Sequence, residues 1–233
     1  MKLAVSETFY SIQGEGQTMG IPSVFLRLGG CNLLCESKSW RCDTIEVWQK
    51  SKAKEFKDVL APELIERIRE GAHLIITGGE PLMQQKVLIE YIYYLLNEHD
   101  LEPVIEIETN GTVLPSVELD EVVSFWNVSP KLSNAGSQNT PEMRINQIAL
   151  KFFNETWTKV IYKFVVSNDA DIQEVLNEYL PLVDAKKVWL MPAGSTQDQL
   201  AETRLLTAEN CRKLGFKYSE RLHIVIWNMK TGV

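Results

Sequence analysis

Residues 73–81 read HLIITGGEP, and the fold is read outward from them. His73 to Thr77 is a short apolar run of the kind that forms a buried strand. It runs into Gly78-Gly79, where a backbone without Cβ atoms lets a ligand approach closely. Upstream, Glu63 to Glu70 carries Leu64, Ile65 and Ile68 at helical spacing, with Pro62 at its start and Gly71 at its end. Downstream, Val87 to Glu98 is helical and apolar on most sides. Helix, strand and helix in succession argue for an α/β chain with a parallel sheet.

The same alternation extends along the chain. Strands are expected at Val24–Leu28, Val104–Thr109, Phe125–Ser129, Val160–Val166, Val188–Met191 and Leu222–Trp227. Helices are expected at Asp171–Leu180 and Thr207–Leu214. Residues 132–158 are rich in Asn, Ser and Gln and read as an irregular loop or cap with one short helix. No repeat, low-complexity tract or domain boundary is visible, so residues 1–233 read as one domain.

Composition sets limits. Hydrophobic residues make up 45% of the chain and charged residues 24%, ordinary globular usage. The net charge of −7 offers no basic face for a phosphate backbone, so direct nucleic-acid binding is not expected. No apolar run spans a membrane, and Met1–Glu7 lacks a signal-peptide core. A cytoplasmic setting with reduced thiols is the expectation.

Chemistry gathers after the strands, where parallel α/β sheets place their ligands. The first strand ends in Gly29-Gly30-Cys31, and Cys35 and Cys42 follow. Three thiolates within twelve residues suit an iron–sulfur cluster or zinc. Structural zinc sites are closed by four ligands, and Cys211 and His73 are both distant in sequence. Three thiolates on a four-iron cluster leave one iron open to a cofactor. His73, His99 and His223 read as satisfied structural residues, and Cys211 as a buried helix residue.

Cys31-x3-Cys35 with the Gly-Gly-Glu-Pro run resembles the radical S-adenosylmethionine superfamily. More narrowly, ETFYSIQGEG at residues 7–16 is similar to the opening of the 7-carboxy-7-deazaguanine synthase family. So are Gly20-x-Pro22, Phe25-x-Arg27-Leu28, Cys42-Asp43-Thr44 and the runs 77–81, 108–112, 129–131 and 190–194. The resemblance covers almost the whole chain in order. One departure is that six residues, Glu36 to Arg41, separate Cys35 from Cys42, where the family usually has two. Loop closure grows slowly in entropy, by about 0.6 kcal/mol per doubling of length, so Cys42 can still return.

The resemblance implies a partial TIM-like barrel of about six parallel strands, the radical S-adenosylmethionine core. It implies a cluster-binding loop at 29–44, with Cys31, Cys35 and Cys42 ligating a [4Fe–4S] cluster. S-adenosylmethionine would be lined by Gly79, Glu80, Glu108, Thr109, Asn110, Ser129, Pro130, Lys131, Met191, Pro192, Ala193 and Gly194, with Glu80 offering a carboxylate to its ammonium group. Ile12, Gln13, Gly14, Glu15, Arg27, Thr77 and the Val233 carboxylate would contact 6-carboxy-5,6,7,8-tetrahydropterin, and Thr44 would serve a magnesium site. The implied reaction is a radical ring contraction to 7-carboxy-7-deazaguanine with loss of ammonia, fed by a flavodoxin- or ferredoxin-type donor in a homodimer. The alternatives are another small radical enzyme, such as a glycyl-radical activase, and a zinc-stabilised module without catalysis. The QGEG opening, residues 13–16, speaks against the activase.

Overall fold

In the computed structural model, strand side chains alternate between two environments. Val24, Leu26 and Leu28 join one continuous apolar core with Leu74, Ile76, Ile105 and Ile107. Trp126, Val128, Tyr162, Phe164, Val188 and Leu190 extend it. The residues between them, such as Arg27, Thr77, Glu108 and Lys163, line a cavity on the opposite face. Each large apolar side chain fully removed from water contributes about 1.5–3 kcal/mol, so the outer face stabilises the fold and the inner face carries polar groups. The structure describes residues 1–37, 42, 44–45, 49–156, 159–230 and 232.

Among the described residues the chain forms one nine-stranded sheet. The strands are β1 (Lys2–Ile12), β2 (Pro22–Leu28), β3 (Lys52–Glu55), β4 (His73–Gly78), β5 (Ile105–Thr109), β6 (Phe125–Val128), β7 (Val160–Val166), β8 (Val188–Pro192) and β9 (Lys217–Tyr218). Their order is β3-β1-β2-β4-β5-β6-β7-β8-β9. From β2 onward every pairing is parallel, giving the six expected strands plus the two-residue β9. β1 lies antiparallel to β2 and β3, and the sheet ends at β3 and β9 without closing. This is the partial barrel expected.

Helices cover the outer face. α1 (Pro62–Arg69) starts on proline and buries Leu64, Ile65 and Ile68. α2 (Gln85–His99) buries Leu88, Tyr91, Ile92 and Leu95. α3 (Val117–Val122) is capped by Ser116. The stretch read as an irregular cap is more ordered than expected, with a 3-10 turn at Ser133–Ala135, α4 (Pro141–Arg144) and α5 (Gln147–Glu155). Its start signals are Pro141 and the Asn146 side chain, which accepts from the Ile148 and Ala149 amides. α6 (Asp169–Glu174) continues as a π-helical turn at Val175–Tyr179, and α7 (Gln197–Leu214) starts ten residues earlier than expected.

Leu222–Trp227, read as a last strand, is instead α8. The β-branched run LHIVIW favours a strand locally, but the sheet position beside β8 is taken by Lys217–Tyr218. The Leu222 amide turns to the Gly14 carbonyl at 2.8 Å, and the Ile224 and Val225 amides bond back to Arg221. Tertiary context decides this segment.

Candidate active site at the mouth of the partial barrel

The turns after β2 and β4 meet because Gly79 has no side chain. A Cβ there would collide with the Gly30 carbonyl, which accepts the Glu80 amide at 2.8 Å. This contact places Cys31 on the wall of a cavity of about 930 Å³, together with Cys35 and Cys42. The Leu33 amide points at Cys31 Sγ (3.5 Å), and the Cys42 amide donates to the Cys35 carbonyl (2.9 Å). Leu33, Cys35 and Ala135 form a small apolar cluster with Cys31 and Cys42 packed against it. Burial raises the Cys31 thiol above its ordinary pKa.

Three soft thiols that share one cavity suit an iron–sulfur cluster by donor type. Thr44 Oγ1 lies 3.4 Å from Cys42 Sγ and also lines the cavity.

The segment after β1 closes the gap that the open sheet leaves. Gln13 is buried and donates to Glu108 Oε1 (3.3 Å), while Thr77 Oγ1 donates to Glu108 Oε2 (2.9 Å). Glu15 pairs with Lys163 Nζ from β7 and with Arg221 Nε (3.2 Å). The Gly16 amide donates to Ser219 Oγ (2.8 Å), and Thr18 Oγ1 donates to Glu106 Oε2 (2.7 Å). Burial alone pushes the Glu15 carboxyl up, but the adjacent Lys163 and Arg221 cations outweigh it and hold it far below the usual carboxylate range. Burial lowers the Lys163 ammonium, and the Glu15 and Glu108 carboxylates more than restore it. Arg27 faces Glu7 directly across β1 and β2, with Nε donating to Glu7 Oε1 at 2.8 Å.

Most expected site residues share this cavity. Gly79, Glu108, Thr109, Asn110, Ser129, Lys131 and Met191 line it, as do Ile12, Gln13, Gly14, Glu15, Arg27 and Thr77. Pro130, Pro192, Ala193 and Gly194 are not among the lining residues. Of these, Ala193 is fixed by its amide to the Val166 carbonyl, and the Gly194 carbonyl accepts from Arg221 Nη1 at 2.5 Å. Val233, and most of the insertion between Cys35 and Cys42, fall outside the described residues.

Glu80 is not among the residues that line the cavity. Its side chain is wholly buried rather than turned to the cavity. Its oxygens accept from the Leu82 amide (3.0 Å), Thr109 Oγ1 (2.8 Å) and the Asn110 amide (2.7 Å). Burial raises its pKa against those donors. These hydrogen bonds hold the side chain against the end of β5.

Other lining residues escaped the sequence reading: Glu7, Phe9, Phe25, Lys163, Arg221 and His223. Phe9 and Phe25 stack with ring centroids 4.9 Å apart. Lys163 had a signal, as the one charge inside the apolar strand VIYKFVV. His223 sits on a helix, and its ring lies where a Cβ on Gly14 would be, so it belongs to the cavity wall. His73 is the satisfied residue expected, 2.6 Å from Glu106. Cys211 is buried in α7, with its thiol pushed up to about 11.

Comparison with known proteins matches this architecture. The family described as a 4Fe-4S single cluster domain matches residues 12–145, more than half of the chain. A 7-carboxy-7-deazaguanine synthase of Clostridium acetobutylicum is 34% identical over 100% of both chains. One of Pyrobaculum aerophilum is 33% identical over 99% of this chain and 97% of its own. One of Aquifex aeolicus is 40% identical over 89% and 85%. The crystal structure of QueE from Escherichia coli superposes with a TM-score of 0.68 at 26% identity, covering 96% of this chain and 95% of that one. With the cysteine wall, the partial barrel and these relatives in agreement, the chain belongs to the 7-carboxy-7-deazaguanine synthase family, enzymes of the radical S-adenosylmethionine lyase type.

Proposed function

We propose that this chain converts 6-carboxy-5,6,7,8-tetrahydropterin to 7-carboxy-7-deazaguanine with release of ammonia, in 7-deazapurine (queuosine-type) biosynthesis. One observation carries the reading: a single cavity has three cysteines on one wall and the Gln13–Glu15 segment with Arg27 on another. Cys31, Cys35 and Cys42 hold a [4Fe–4S] cluster, with S-adenosylmethionine beside it. When bound, that pair supplies hydrogen-atom abstraction.

The protein positions and shields. Gly79, Thr109, Asn110, Ser129, Lys131 and Met191 form the cofactor side. Glu80 works from behind, fixing the Thr109 hydroxyl and the Asn110 amide at the strand end. Arg27 binds the substrate carboxylate by a two-point fork, with Glu7 steadying its Nε from the neighbouring strand. Glu15 accepts from ring N–H groups, and Gln13 and Thr77 orient Glu108, which also lines the cavity. Thr44 provides a hard oxygen for Mg²⁺. The reading includes a flavodoxin- or ferredoxin-type donor, a homodimer, one domain over residues 1–233 and a cytoplasmic setting.

The test is anaerobic incubation of the reconstituted protein with S-adenosylmethionine, a reductant and the carboxy-tetrahydropterin. The expected product is 7-carboxy-7-deazaguanine. Cofactor cleavage without that product would point to another radical enzyme.

A further inference from the structure

The buried charges around Glu15 ask for a purpose, because burying ions is costly unless they are paired and used. Lys163 and Arg221 are both nearly inaccessible, and each donates to a different oxygen of the one carboxylate. We infer that Lys163 and Arg221 are positioning residues that present Glu15 to the cavity as a fixed, ionised acceptor for the N–H edge of the pterin. The inference rests on the reading that Glu15 faces the substrate.

Three observations support it. First, an ionised carboxylate has about four acceptor positions, and the two cations use one on each oxygen. Glu15 lines the cavity, so the others are available to a ligand there. Second, Arg221 is fixed at both ends. Its Nε holds Glu15, and its Nη1 holds the Gly194 carbonyl in the loop after β8 at 2.5 Å. The rigid guanidinium therefore sets the distance between the β1 segment and the β8 loop. Third, the Leu222 amide bonds the Gly14 carbonyl, so the residue after Arg221 pins the residue before Glu15.

The groups facing Glu15 are Lys163 from β7, and Arg221 and His223 from the segment that enters α8. Glu108 from β5 faces Lys163 from the other side. Burial is the largest single influence on Glu15 and opposes its charge, so removing one cation takes away part of what outweighs it. Its folded pKa then rises, and the ionised form is lost as pH falls through the raised value.

The experiment measures the dissociation constant of the carboxy-tetrahydropterin against pH, on anaerobically reconstituted protein, for the wild type and for Lys163→Met, Arg221→Gln, Lys163→Arg and Glu15→Gln. Each variant's profile is divided by that of Glu15→Gln, which cancels titration of the ligand itself. Lys163→Met and Arg221→Gln are each expected to weaken binding roughly tenfold at neutral pH, the order of one charge-assisted hydrogen bond. Each is also expected to weaken it further toward acid, with S-adenosylmethionine affinity unchanged. Lys163→Arg is expected to restore the flat wild-type profile, and it carries the test with Arg221→Gln if Lys163→Met does not fold. A uniform loss parallel to the wild type would overturn the inference and leave both cations as fold supports. If Glu15→Gln itself binds the pterin like the wild type, the placement of Glu15 on the substrate falls, and the inference falls with it.

Discussion

Two segments on the cavity wall are held in different ways. The segment Gln13–Thr18 is tied to strands. Its side chains and amides reach Glu106 and Glu108 on β5, Lys163 on β7 and Ser219 just past β9, through buried and largely charged contacts. The described part of the cysteine loop is tied to other loops. Leu34 donates to Asn139, Glu36 donates to Ala135, and the Gln138 and Asn139 amides bond its carbonyls. Its apolar cluster of Leu33, Cys35 and Ala135 is separate from the main core. The first segment is therefore held by the sheet, while the contacts described for the second are hydrogen bonds to neighbouring loops. On the proposed function, the first segment faces the substrate and the second faces the cluster.

Variants on the two sides should separate accordingly. The largest effect is expected from Cys42→Ala: iron, sulfide and turnover are lost, while the melting temperature of the metal-free protein barely moves. A full cluster with turnover in that variant would break the assignment of the third ligand. Next, Gly79→Ala should cost about 2–3 kcal/mol in denaturant unfolding, because the new Cβ meets the Gly30 carbonyl. Wild-type stability there would mean the two turns can part without loss. Thr18→Val should cost about 2 kcal/mol, by removing a buried donor to the Glu106 carboxylate. Its iron content should stay at the wild-type level, which contrasts the strand-tied segment with the cysteine loop.

Asn139→Ala should cost less stability, about 1 kcal/mol, and yet lower the iron retained after gel filtration. Full retention would show that the cap does not brace the cysteine loop. The smallest effect is expected for Cys211→Ala, about 1 kcal/mol or less with iron content unchanged, since it removes one sulfur at the edge of the core and a weak hydrogen bond to the Lys217 carbonyl. Iron loss there would bring a fourth cysteine into the ligand set.

Much of the outer face was legible, because β2 and β4–β8 carry short apolar runs that end in glycine or polar residues. The three cysteines were legible as soft ligands, and the QGEG run as a family mark, but not what holds that run in place. Here it is held by cross-barrel contacts with partners up to 206 residues away, which no local pattern contains. α8 was misread because LHIVIW has strand character and its helix is imposed by Gly14 and an occupied sheet edge. Where the Glu80 side chain goes was not legible, because its partners Thr109 and Asn110 lie 29 and 30 residues away in sequence. Lys163 was passed over although a lone lysine within VIYKFVV needs a buried partner.

The difference between the two loops is tested most directly by amide hydrogen exchange on the metal-free and the cluster-reconstituted protein. The amides of residues 13–18 are expected to be equally protected in both forms, and those of residues 33–36 to gain protection only when the cluster is assembled. Unchanged exchange at 33–36 in protein that holds its full iron and sulfide would contradict the account, as would gained protection confined to 13–18.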